Sequence, residues 1–181
     1  MKRSWILLLA ALFCLDVAVY WWWTNDSRES RFDREIREVA SEHDMDPALI
    51  KAVVWRESRF DPNARGTAGE IGLMQLRELA AREWAEANGI RDFEPTHLLN
   101  TRTNLLAGTW YLKKWRDRSP HPEDPLPFAL AAYNAGPTKA REWARDANGS
   151  TEFIAVIGYP ATQQYVQTVR QRQEEFRKSF D

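Results

Sequence analysis

The stretch Asp46-Pro47-Ala48-Leu49-Ile50-Lys51-Ala52-Val53-Val54-Trp55-Arg56-Glu57-Ser58 carries the reading of the fold. Asp46 is a good N-cap, and Pro47 suits the first helical turn, where a missing N–H costs nothing. Ile50, Val53, Val54 and Glu57 recur at i, i+3, i+4 and i+7, so all four share one helix face. Lys51 and Arg56 are expected to point elsewhere. Glu57 thus ends an apolar stripe, where a carboxyl group loses water; desolvation disfavours its charged form and raises its pKa. A glutamic acid still protonated near neutral pH can give a proton to a leaving oxygen. Taken alone, this helix fits a structural glutamate, paired with an arginine or capping a neighbour, better than a catalytic one.

The flanks are helical too. Ile36 and Val39 share a side of Asp33–Ser41, a first helix, and Pro62 is expected to stop the second soon after Phe60. A further helix is expected from about Leu73 to Asn88, ended by Gly89. Asn100–Trp115 follows, then a loop marked by Pro120, Pro122, Pro125 and Pro127. Phe128–Asn134 reads as a short buried helix stopped at Gly136-Pro137, followed by helices over Thr138–Ala147 and Thr162–Phe176. No alternating run of strand length occurs, so the fold class is all-α with at most a very small sheet. Gly66, Gly69 and Gly72 allow tight turns, but without a following Gly-Lys-Ser/Thr they are no phosphate loop.

Composition narrows the function. The chain of 181 residues suffices for one domain plus a short appendage, and its net charge of −1 argues against nucleic acid as a partner. With Cys14 the single cysteine, no intrachain disulfide can form, and His43, His97 and His121 lack ligand spacing, so no metal or other cofactor is expected.

The N-terminus reads as a membrane anchor over residues 1–23. Residues 5–23 are apolar but for Asp16, and this run of 19 is close to the roughly 20 that span a bilayer as a helix. Lys2 and Arg3 ahead of it keep the N-terminus in the cytoplasm, and Trp21, Trp22 and Trp23 suit the far interface. The expected location is the inner membrane, single-pass, with the remainder in the periplasm. Signal cleavage and secretion to the periplasm is the main rival, but no A-x-A-like site follows the run, and Leu12-Phe13 before Cys14 does not suit lipidation. Asp16 weighs against a stable span, costing roughly 2.5–3.5 kcal/mol at mid-membrane. Residues 24–31 (TNDSRESR) read as a polar linker, and residues 32–181 as one helical domain.

Three segments change the balance at Glu57: Glu57-Ser58-Arg59-Phe60-Asp61-Pro62-Asn63-Ala64, Gly69-Glu70-Ile71-Gly72-Leu73-Met74-Gln75-Leu76 and Ala132-Tyr133-Asn134-Ala135-Gly136-Pro137. In order and separation they resemble the soluble lytic transglycosylase family, whose catalytic domain has a goose-lysozyme-like fold. Asn104, Gly108, Tyr111 and Leu112 resemble its Asn-x-x-x-Gly-x-x-Tyr-Leu segment, and Tyr159-Pro160-x-Thr162-x-x-Tyr165-Val166 the entrance to its closing helix. The resemblance covers about residues 34–175. It implies that Glu57 is the single catalytic glutamate and that Ser58, Met74 and Gln75 line the glycan cleft. It places Tyr133 and Asn134 beside the glutamate, where Tyr133 could hold it or stabilise an oxocarbenium-like state, and Tyr165 on the same cleft. The implied reaction breaks the β-1,4 bond between N-acetylmuramic acid and N-acetylglucosamine in peptidoglycan. The muramic C6 hydroxyl attacks instead of water, leaving a 1,6-anhydro product, and one carboxyl group suffices, unlike the pair most glycosidases use.

Some positions depart from the family. Arg77-Glu78 stands where Met-Pro is common, Glu70 where a small residue is usual, and Ala161-Thr162-Gln163 in place of Glu-Thr-Arg. Glu70 supplies a second carboxylate, so a hydrolytic muramidase stays open, as does a glycan-binding module without catalysis. Read bare of the resemblance, Met74 and Leu76 are core, Tyr133 is a core tyrosine and Asn134 ends a helix. Trp84, Trp110, Trp115 and Trp143 read as core rather than sugar platforms.

Overall fold

The computed structural model describes residues 13–17 and 28–180. Most of the expected anchor over residues 5–23 lies outside these, and among the described residues no helix is long and apolar enough to cross a membrane. Residues 28–30 already form a helical turn, and Glu29 meets Arg172 at 3.3 Å. The folded domain therefore begins inside the stretch read as linker.

Helix α1 (Asp33–His43) buries Ile36, Val39 and Ala40 and closes on a left-handed Asp44. Helix α2 (Pro47–Ser58) starts as expected, with Asp46 Oδ1 accepting from Ala48 N at 2.8 Å. It stops before Pro62 can act, because Arg59 and Phe60 both turn left-handed (φ 53° and 63°) and Phe60 drops into the core. The stripe expected on α2 is too narrow: every residue from Ala48 to Val54 is buried, Lys51 included. Lys51 does lie off the stripe, but α1 and the C-terminal helix cover that side too. Its ammonium pairs with Asp33 at 2.7 Å and lies 4.9 Å from the Phe176 ring. A helix buried all round is a core helix, so burial of Glu57 follows from position in the domain as well as from spacing.

Helix α3 (Glu78–Ala87) begins five residues later than expected. Leu73, Met74 and Leu76 are buried by a compact turn instead: Ile71 and Leu76 exchange N–H···O bonds at 3.0 and 3.1 Å, and Gln75 is left-handed at φ 47°. A turn that faces the core all along mimics helical spacing. Arg65–Ile71 and Ile71–Leu76 are isolated bridges, so the small sheet allowed for reduces to these among the described residues. Gly89 follows α3 with φ 70°, as its C-terminal role requires.

After a 3-10 turn at Pro95–Leu99 come α4 (Thr101–Arg116), capped by Asn100, α5 (Leu126–Ala135) and α6 (Pro137–Ala144). Then α7 (Ser150–Val156), which the sequence reading left unassigned, and α8 (Pro160–Arg177) close the chain. Helix α2 packs most extensively on α8, and α5 links α4, α6 and α8. Two hydrophobic clusters result. The larger joins α1, α2, α5 and α8; the smaller gathers Ile71, Leu76, Trp84, Phe93 and Leu98 around α3 and α4. Tyr133 packs against both, so the end of α5 lies at their seam.

Candidate active site

A cleft of about 780 Å³ runs along that seam, and Glu57, Glu70, Gln75, Tyr133 and Asn134 all line it. Glu57 comes from the last turn of α2, where the negative end of the helix adds to the cost of a carboxylate. Burial pushes its pKa from 4.5 up to about 7; the Tyr165 hydrogen bond and Arg56 pull it down, and Glu70 raises it. Tyr165, from α8, is 1% exposed and donates to Glu57 Oε1 at 2.6 Å. Burial and the nearby Glu57 hold the Tyr165 phenol well above its ordinary pKa, so it stays a donor.

Gln75 and Met74 stand on the turn after the glycines. Gln75 Nε2 donates to Ala64 O at 3.1 Å and Gly72 O at 2.9 Å, so the side chain offers a ligand its acceptor oxygen. Met74 belongs to the core: its side chain is 0% exposed and packs where Gly108 leaves room, a Cβ there falling 2.4 Å from Sδ. Its backbone faces the site instead, because Tyr133 Oη donates to Met74 O at 2.8 Å. The tyrosine that holds Glu57 is therefore Tyr165, while Tyr133 spends its hydrogen on the loop. Ser58 Oγ donates back to Val54 O at 3.1 Å, and the residue does not line the cleft. Asn134 Oδ1 accepts from Thr162 Oγ1 at 2.8 Å, which leaves its amide N–H groups for a ligand.

Asn104, quoted in the sequence only as part of a motif and without a role, is the brace of the Met74 loop. It is wholly buried, accepts from Met74 N at 2.8 Å, and donates to Ile71 O at 2.8 Å and Leu98 O at 3.0 Å. The signal was in the motif: Asn104 and Gly108 are four apart, hence on one face of α4, and both meet the Met74 loop. Glu70 is also tied down. Burial raises its pKa, but its own backbone N–H, Arg77 at 2.7 Å and Ala68 N at 3.0 Å together hold it below the usual carboxylate range. At the far end Tyr111, Lys114 and Trp115 line the cleft, with Lys114 paired to Glu83. Trp84, Trp115 and Trp143 are buried, and Trp110 is partly so. Among the described residues no group of three His, Cys, Asp or Glu side chains could hold a metal ion.

The sequence profile described as the transglycosylase SLT domain matches residues 34–156. The chain belongs to this family. It is 41% identical over 113 residues to the membrane-bound lytic murein transglycosylase F of Desulfosudis oleivorans, a match covering 61% of this chain and 23% of that protein. It is 29% identical over 152 residues to the soluble lytic murein transglycosylase of Salmonella typhimurium, covering 80% and 23%. Among solved structures, an inactive glutamate-to-glutamine mutant of the lytic transglycosylase Slt of Pseudomonas aeruginosa superposes with a TM-score of 0.74 at 28% identity, covering 81% of this chain and 24% of that one. The 70 kDa soluble lytic transglycosylase of Escherichia coli gives 0.73 at 25% identity, covering 82% and 24%. The matched region of this SLT-family chain thus spans about a quarter of the relatives it matches, and its helical fold is the lysozyme-like fold of those structures.

Proposed function

We propose that this SLT-family chain is a peptidoglycan lytic transglycosylase that breaks the β-1,4 bond between N-acetylmuramic acid and N-acetylglucosamine, with Glu57 as acid and then base. One observation carries the reading: a carboxyl group on the cleft with a pKa of about 7, hydrogen-bonded by a phenol that cannot accept its proton. Glu57 gives its proton to the glycosidic oxygen as the C1–O bond breaks. The carboxylate so formed takes the proton of the muramic C6 hydroxyl as O6 bonds to C1. A 1,6-anhydro sugar results, Glu57 is again protonated, and no water is consumed. Tyr165 donates to Oε1 throughout and steadies the carboxylate between the half-steps. Gln75, through its oxygen, and Asn134, through its amide, orient the glycan, while Tyr133 and Met74 O fix the loop that carries Gln75. Ser58, its hydroxyl bonded back to Val54 O, stays outside the cleft and takes no contact with the glycan in this reading. Glu70 is the observation favouring hydrolysis, but Arg77 and Ala68 N already occupy its oxygens, which leaves it poorly placed to activate water.

We also read residues 5–23 as an anchor that holds the domain on the periplasmic side of the inner membrane. The apolar run and the naming of several relatives as membrane-bound support this. Glu57→Gln tests the main reading. Gln keeps size and hydrogen bonding but carries no proton, so glycan cleavage should fall by at least about 10²–10⁴-fold with melting temperature unchanged or higher. A structural ion pair at Glu57 predicts the reverse: a lower melting temperature with activity partly kept.

A further inference from the structure

The face of the domain beside residue 28 carries a basic cluster whose arginines do not line the cleft, with Trp55 as its hub. The guanidinium carbon of Arg59 lies 3.5 Å from the ring centre, and that of Arg172 lies 4.1 Å from it. Two guanidinium groups that close cannot share one face, so the indole is sandwiched between them. Arg172 reaches Glu29 at 3.3 Å and Glu175 at 2.5 Å, and its Nε is buried with no hydrogen-bond partner. Arg56, three residues back on α2, lies 5.4 Å from the Tyr165 ring. Arg59 is held below its ordinary pKa by burial first, then by Arg172 and Arg56, with Glu29 opposing. Exposed Arg28 and Arg31 flank Glu29 in the chain. Among the described residues the exposed Arg28, Arg31 and Arg59 thus stand with Arg172 against the carboxylates of Glu29 and Glu175.

Chain length adds a second argument. The apolar run ends at Trp23, and five residues on, Arg28 belongs to the folded domain. Five residues reach at most about 18 Å. With residues 5–23 in a bilayer, as proposed above, the surface around Arg28 and Glu29 lies within that distance of the headgroups. We propose that the Arg59–Trp55–Arg172 stack and the arginines around it dock the domain on anionic phospholipid headgroups. A phosphodiester accepts two N–H groups of a guanidinium fork, and an indole suits the headgroup level. Docking there fixes how α2, and with it Glu57, stands above the membrane. The inference rests on the anchor reading and not on the cleft's chemistry.

The test is amide hydrogen exchange of the full chain in nanodiscs of phosphatidylcholine, with and without phosphatidylglycerol. Exchange at residues 28–32, 55–60 and 169–176 should slow when phosphatidylglycerol is present. High salt should abolish the slowing, and Arg59→Glu or Arg172→Gln should weaken docking by at least about fivefold per charge removed. Equal exchange in both lipids, or slowing that survives high salt and both substitutions, overturns the proposal. So does equal slowing by inorganic phosphate on phosphatidylcholine discs, which means binding of an ion only. Loss of the wild-type chain from both discs overturns the anchor reading and the docking together. Because turnover is not the readout, none of these outcomes bears on the assignment of Glu57.

Discussion

At Glu57 the fold raises a carboxyl group to a pKa of about 7, so a large share of it is still protonated near neutral pH, and the cost and the use of that shift can be measured separately. The native state binds this proton more tightly than the unfolded chain, whose glutamate has its ordinary value of 4.5. Stability from this group is therefore whole below pH 4.5 and is lost as pH rises from there through about 7. The loss should reach up to about 3 kcal/mol. Glu57→Gln should remove that slope, so the mutant gains on the wild type in denaturant titrations at pH 8 and not at pH 4. The acid step needs the protonated form, so activity should decline above about pH 7. Tyr165→Phe removes the contact that favours the carboxylate, so the alkaline limb should move to higher pH while the rate falls. An unmoved limb would mean that Tyr165 does not act on Glu57. From the sequence, the apolar spacing around Glu57 was enough to suggest a perturbed acid. Which tyrosine touches it was not, because Tyr133 and Tyr165 are separated in the chain and only the packing of α5 and α8 decides between them.

The element on which the site depends is the turn over residues 65–76, held from outside by α4. Asn104 and Gly108 supply the hydrogen bonds and the space that fix Met74, and Tyr133 fixes its carbonyl. Gly108→Ala puts a methyl 2.4 Å from Met74 Sδ and 2.8 Å from its Cβ. It should cost about 1–3 kcal/mol, read as a lower denaturation midpoint, and lower the catalytic rate through the displaced loop. A variant with wild-type rate would show that the Met74 loop does not position the site. The helix cap at Asp46 was legible because capping is local chemistry. The late start of α3 was not, since a turn that buries Leu73, Met74 and Leu76 shows the same apolar density as a helix. Helix α7 was missed for a related reason: its seven residues carry too little periodicity to register.

Across the whole molecule, the two ends of the folded domain meet at α2. Lys51, buried in its middle, joins Asp33 of α1 to the rings of Phe176 and Phe180, and Arg37 donates to Phe180 O at 3.1 Å. Lys51→Met should cost about 3 kcal/mol, because it leaves Asp33 facing apolar surroundings, and Asp33→Leu added to it should restore much of the loss. Additive losses in the double variant would argue against the pair. The sequence placed Lys51 off the apolar stripe but could not show that α1 and α8 bury that side as well. The central claim is the reaction, and it is tested most directly by mass analysis of the muropeptides that the full chain releases from purified peptidoglycan. The account predicts products ending in 1,6-anhydromuramic acid, each lighter by one water than its reducing counterpart, and none from Glu57→Gln; reducing, hydrated ends alone would contradict it.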